Sequence, residues 1–110
     1  MVMVMHSVTE NELLQTVLEM AEAMGYVVYH VFEQSHYAKR TVIGFPDLVM
    51  YRPFDFERGW RRRLIVMELK SQRGVLTEQQ QDWLSCFSSF KIETYIVRPS
   101  DLDSLENLLK

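Results

Sequence analysis

Apolar residues recur along the chain at two spacings, and the switches between them predict the elements. Between Glu12 and Met24, the residues Leu13, Leu14, Val17, Leu18, Ala21 and Met24 follow the i, i+3, i+4 spacing of a helix with one buried face. Gly25 stands where a left-handed cap would end it. Thr9 and Glu12 make the pattern of a capping box, in which hydroxyl and carboxylate each satisfy an orphan backbone N–H. Tyr26 to Phe32, rich in aromatic and β-branched residues, predicts a strand, followed by a polar loop through Arg40. A second strand starts near Pro46, runs through Asp47-Leu48-Val49-Met50-Tyr51 and stops before Pro53; a charged turn containing Gly59 follows. The third, Leu64 to Lys70, opens with four apolar residues, as expected of a central strand covered on both faces. Gly74 breaks the chain, and Thr77-Glu78-Gln79-Gln80 opens a second helix with Trp83, Leu84 and Phe87 at core spacing. Thr94 to Val97 reads as a fourth strand, and Ser100 is placed to cap a last helix bearing Leu102, Leu105, Leu108 and Leu109. The order is αβββαβα. A helix between the third and fourth strands permits a right-handed parallel crossover, so the expected class is α/β, with a mixed central sheet flanked by helices.

Composition narrows this picture. A chain of 110 residues, 47% hydrophobic and 25% charged, forms one domain, residues 1–110, and leaves no room for a second core. The opening MVMVMH reads as an unpaired arm, a strand added to a partner subunit or an accident of the start site, and the sequence does not choose. No run approaches the roughly 18 apolar residues of a membrane span. The one cysteine, Cys86, makes no internal disulfide and leaves no thiolate cluster for zinc, which fits a reducing cytoplasm. Met20, Met24, Met50 and Met67 lie in apolar runs and read as core filler.

The net charge of −3 conceals an uneven distribution. Residues 39–73 hold nine basic groups (Lys39, Arg40, Arg52, Arg58, Arg61, Arg62, Arg63, Lys70, Arg73) against four acidic ones, a local +5 on a remainder of −8. Such a split gives a basic face that steers a polyanion to one side, or, more plainly, a solvated hairpin tip around Arg61 to Arg63.

The central strand carries Glu68 and Lys70 directly after an apolar run, and residues two apart share a face. The plainer alternative is a same-strand ion pair at a wet sheet edge, worth little. If the second and third strands form a hairpin, Asp47 comes beside Glu68, and two converging carboxylates repel unless a hard divalent cation such as Mg²⁺ lies between them. Lys70 then stands where it would orient or deprotonate an attacking water. Asp47 reads equally as a turn residue after Gly44-Phe45-Pro46.

Taken together, Gly44-Phe45-Pro46-Asp47-Leu48, Glu68-Leu69-Lys70, Gly74-Val75-Leu76-Thr77 and Gln80 ahead of Trp83-Leu84 resemble the VRR-NUC (virus-type replication-repair nuclease) domain of the PD-(D/E)XK nuclease superfamily. Glu10, Gly25, Tyr29-His30 and Arg98-Pro99-Ser100-Asp101-Leu102 extend the resemblance over almost the whole chain. It implies a restriction-endonuclease-like αβββαβ core, here with an additional C-terminal helix. It also implies a Mg²⁺- or Mn²⁺-dependent DNA endonuclease acting on branched DNA such as a Holliday junction, as a homodimer, in the cytoplasm of a bacterial or phage-infected cell. By that resemblance Asp47, Glu68 and the Leu69 carbonyl hold the metal, Lys70 serves the attacking water, Gln80 supports the site and Glu10 adds an acidic group. Locally, Gln80 also completes a capping box with Thr77, and Glu10 has ordinary helix-start duties. The family usually has proline where this chain has Glu78. The loop bearing Ser35, His36, Lys39 and Arg40 leads into Asp47 and, with Arg73 and the Arg61 to Arg63 run, is the expected DNA-contacting surface. His30 reads as a satisfied strand residue and not a ligand, and Trp83 and Phe87 as core and not a base-stacking platform. The competing function is a DNA-binding or assembly module that kept the fold and lost catalysis.

Overall fold

The computed structural model describes residues 8–31 and 42–110. The expected residues Ser35, His36, Lys39 and Arg40 and the 1–6 arm lie outside them. The elements are α1 (Glu10–Ala23), β1 (Val27–His30), β2 (Leu48–Arg52), β3 (Arg63–Leu69), α2 (Glu78–Ser89), β4 (Glu93–Val97), a 3-10 turn (Pro99–Asp101) and α3 (Leu102–Leu109). The sheet runs β1-β2-β3-β4, antiparallel at the first two pairings and parallel at β3–β4, with α2 as the crossover. Among the described residues no helix is long and apolar enough to cross a membrane.

Alternation divides the sheet into two faces. Leu48 and Met50 of β2 and Ile65 and Met67 of β3 point one way, into a core closed by Leu13, Val17 and Ala21 of α1 and Leu105 and Leu109 of α3. The other face carries Val66 and Glu68 and receives α2, whose Gln80 reaches Glu68. Thr9 caps α1 as expected, accepting from the Glu12 N–H at 3.1 Å.

The last helix departs from expectation. Ser100 is not its cap: the chain passes through the 3-10 turn, where the Asp101 carboxylate accepts the Arg98 N–H at 2.7 Å. Ser100 bonds Gln72 twice instead, its N–H donating to the amide oxygen and its hydroxyl accepting from the amide nitrogen, both at 3.0 Å. Proline at the start of that turn fixes φ and lacks an N–H, which favours a tight first turn over direct helix initiation.

Two arginines of the basic stretch are structural. Arg52, 3% exposed, bonds backbone oxygens at the ends of α1 and α3. Arg63 makes a two-pronged pair with Glu93, both bonds at 2.7 Å, and donates to the Tyr26 hydroxyl at 2.8 Å. The expectation that the whole Arg61 to Arg63 run contacts DNA is therefore corrected at Arg63, leaving Arg61 and Arg62 exposed.

Arg63, by its hydrogen bonds, holds the Glu93 carboxyl below its ordinary value, and the Tyr95 hydroxyl adds to this. A lowered folded pKa contributes stability that is present above the unfolded value near 4.5 and is lost as pH falls through the folded value. Melting followed from pH 5 downward should therefore show Glu93→Gln well below wild type at pH 5 and the two converging as the carboxyl of the folded wild type takes up its proton. Parallel curves would show that the pair does not titrate with folding.

Candidate active site

The site begins with a glycine. Gly44 sits at φ +84°, and a Cβ there would stand 2.6–2.7 Å from backbone and Cβ atoms of Gln79 and Gln80. Only glycine lets the chain turn this close to the start of α2. Phe45 follows, edge-on to Trp83 at 5.0 Å and to Phe87 at 5.7 Å, which anchors the turn on α2. Pro46 and Asp47 then lead into β2.

β2 and β3 form the expected antiparallel pair, Leu48 opposite Met67. Continued one step, the register sets Asp47 beside Glu68, and one step more sets Pro46 beside Leu69. Proline offers no N–H to a ladder, so pairing ends there. The Leu69 N–H instead donates to Asp47 Oδ2 at 2.7 Å. A strand residue's N–H and C=O point to the same edge, so the Leu69 carbonyl lies along the edge that Asp47 occupies.

Glu68 is 3% exposed, which decides against an ion pair at a wet edge. Its Oε1 accepts from Gln80 Nε2 at 3.0 Å, while Oε2 is buried with no hydrogen-bond partner. Burial and then the facing Asp47 carboxylate push the Glu68 carboxyl up to about 8, against the lowering influence of Lys70. Asp47 is also raised, chiefly by burial, with the Leu69 N–H opposing. A buried, orphaned carboxylate oxygen beside a second carboxylate is costly without a proton or a cation. Asp47, Glu68 and the Leu69 carbonyl thus offer the all-oxygen donor set that a hard divalent ion prefers.

Gln80 satisfies both readings of its position. Its Oε1 accepts the Thr77 N–H at 2.9 Å and its N–H donates to the Thr77 hydroxyl at 3.1 Å, completing the capping box. Its Nε2 is left to hold Glu68. This box starts α2 without the proline that Glu78 replaces.

Lys70 shares the face of Glu68, and its charge acts on both carboxyls. Its N–H donates to the Val97 carbonyl at 3.0 Å. The following turn is held by Arg98, which donates to the carbonyls of Ser71 and Gly74, both at 2.7 Å, and by the Gln72–Ser100 bonds. Exposed Arg73 rides on this braced turn. The bracing role of Arg98 was not visible in the sequence as a local signal: only the parallel register, Leu69 beside Val97, brings it to Lys70.

Among the described residues no three His, Cys, Asp or Glu side chains gather into a metal-sized group. Glu10 accordingly stays apart from Asp47 and Glu68, exposed in the first turn of α1, whose buried side packs on the other face of the sheet. His30, half-buried on β1 opposite Leu48, acts electrostatically on Asp47.

A solved structure described as a VRR_NUC domain matches this chain with a TM-score of 0.64 and 21% sequence identity, over 91% of this chain and 92% of that one. The fold is VRR_NUC-like. No protein-family profile and no curated protein matches the sequence. At 21% identity the likeness speaks for the fold alone; Asp47 and Glu68 stand side by side through this chain's own β2–β3 register.

Proposed function

We propose that this VRR_NUC-like chain is a deoxyribonuclease that depends on Mg²⁺ or Mn²⁺ and hydrolyses phosphodiester bonds in branched DNA, a Holliday junction being the type substrate, as a cytoplasmic homodimer. The observation that carries the reading is the orphaned Oε2 of buried Glu68 beside Asp47. Asp47, Glu68 and the Leu69 carbonyl would hold the ion. When bound there, a divalent ion supplies positive charge against the developing phosphate charge and makes an attacking water more acidic. Gln80 holds the Glu68 carboxylate by Oε1, which leaves Oε2 for the ion. Lys70, on the same face, orients the water and takes or relays its proton. Arg73 and the exposed Arg61 and Arg62 supply phosphate contacts, joined by Ser35, His36, Lys39 and Arg40, so binding weakens steeply with salt.

The catalytic part is tested on labelled four-way junction, flap, duplex and single-stranded DNA with Mg²⁺, Mn²⁺ or EDTA. Lys70→Ala should lower kcat by about 10²-fold or more while junction binding in EDTA persists. Salt-sensitive binding with no cutting of any substrate would turn the reading to the catalytically silent DNA-binding module.

The dimer has a surface to use. Val27, Tyr51 and Leu64 are cross-strand neighbours, and Tyr29 lies one row on, opposite Val49; these four side chains are 44–66% exposed on the sheet face that also bears Glu68. Contiguous exposed apolar surface of this kind marks an interaction site, and a two-fold pair there would bring two sites toward one junction. Light scattering on a sizing column should give twice the 13.1 kDa chain mass for the protein and the single chain mass for Tyr51→Glu. A monomeric wild type at micromolar concentration would remove the dimer.

A further inference from the structure

A groove of about 300 Å³ runs along α2, lined among the described residues by Ile43, Gln79, Asp82, Trp83 and Cys86. We infer that this groove takes one unpaired nucleobase of the DNA substrate, next to the phosphate that is cut. The inference rests on the nuclease reading and deepens it, since it names the feature that separates branched or frayed DNA from plain duplex.

Three observations carry it. The groove neighbours the site through α2: Gln79, which lines it, adjoins Gln80, the residue that holds Glu68, and Gly44 lies against the backbone of both. Along α2, Trp83 stands about 4.5 Å and Cys86 about 9 Å beyond Gln80. With nucleotides of one strand spaced about 3.4 Å along a helix axis, that is a reach of one to three nucleotides. Among the described residues the lining chemistry is that of a base and not of a phosphate: Ile43, Trp83 and Cys86 make an apolar wall, and none of the described lining residues is basic. Gln79 and Asp82 add an amide and a carboxylate, the groups that read base edges. Asp82 would repel a phosphate at the same place. The volume, at the low end of small-molecule sites, is sufficient for a single planar ring. Trp83 is thus more than the core residue its spacing suggests: it packs on Phe45 and Phe87, yet remains half-buried with one side on the groove.

Cys86, the one cysteine of the chain and exposed, reports on the groove directly. Its alkylation by N-ethylmaleimide is followed in EDTA, with DNA at concentrations shown by anisotropy to saturate the protein. DNA with an unpaired overhang or flap should slow the reaction about tenfold, and a blunt duplex of equal length should leave it near the free rate. Cys86→Phe, which fills the groove from an exposed position, should lose about tenfold in affinity for the overhang relative to the blunt duplex. Equal rates with both DNAs overturn the inference, in favour of a duplex-contacting surface if both protect. If neither protects while higher protein concentration does, a second copy of the chain is the occupant and the inference also fails. Cleavage of the same DNAs in Mg²⁺ separates the two readings: cutting with Cys86 unprotected sinks the groove alone, whereas neither binding nor cutting sinks both.

Discussion

Glu68→Gln should raise the melting temperature of the cation-free protein at pH 8 while removing cleavage. In the folded chain Glu68 is buried, one oxygen is orphaned, and Asp47 faces it. A glutamine keeps the Gln80 bond through its carbonyl and turns the orphaned acceptor into an amide that donates to Asp47. Relief of one such contact between buried carboxylates is worth about 1–2 kcal/mol, which for a domain of this size is a rise of roughly 5–10 °C. The pH dependence follows the same logic. Burial and Asp47 raise the folded pKa of Glu68 from 4.5 to about 8, so the folded state holds a proton that the unfolded chain releases. This contribution is complete below 4.5 and is lost as pH rises toward 8. Wild-type melting should decline across that window, and Glu68→Gln should flatten the decline. Added Mg²⁺ should restore the wild type at pH 8 by mass action and leave the variant unchanged. A variant that melts lower than wild type at pH 8 would mean that the two carboxylates are not held against each other.

Arg52→Met should cost about 3–5 kcal/mol of folding stability, a large share of the 5–15 kcal/mol typical of a domain. Its guanidinium donates to the Leu109 oxygen at 2.9 Å, to that of Lys110 at 2.7 Å and to that of Met24 at 3.4 Å, binding the ends of α1 and α3. Helix C-termini concentrate unsatisfied carbonyls and partial negative charge, so a buried cation there is doubly favoured. The Tyr26 and Trp60 rings lie over it at 4.8 and 4.6 Å. Trp60 fits because Gly25, at φ +90°, has no Cβ to meet its ring. Methionine fills the volume but leaves the carbonyls without donors, the expensive half of the exchange. Lysine should lose nearly as much, because a single ammonium does not span three acceptors in a fixed fork. Urea unfolding measures both; a loss under 1 kcal/mol for methionine would show that water or relaxed helix ends replace the arginine. Since Arg52 faces away from Glu68, DNA cleavage per folded molecule at low temperature should survive.

These two residues show where the sequence was legible and where it was not. Glu68 stood out because a charge following Leu64-Ile65-Val66-Met67 is an anomaly of pattern. Arg52 gave no such sign: at the end of a strand and within a basic stretch it read as a contributor to a polyanion-binding face, and so did Arg63. Their real partners, the ends of α1 and α3 for one and Glu93 for the other, are distant in the chain. Gln80 lay between, since its local role as a capping residue was readable and its bond to Glu68 was not.

By itself, the sequence determined the order and type of the elements, because periodicity, caps and turn residues act over a few positions. It also offered the convergence of Asp47 and Glu68 on condition that the second and third strands pair as a hairpin; the pairing itself, Leu48 opposite Met67, came from the fold. The tertiary structure alone decided which face each element covers and which arginines are internal. It decided too that Glu10 stays apart, that Arg98 and Ser100 brace the turn after Lys70, and that a groove opens along α2. Those facts depend on packing and on a parallel crossover, contacts between residues tens of positions apart that no local pattern encodes.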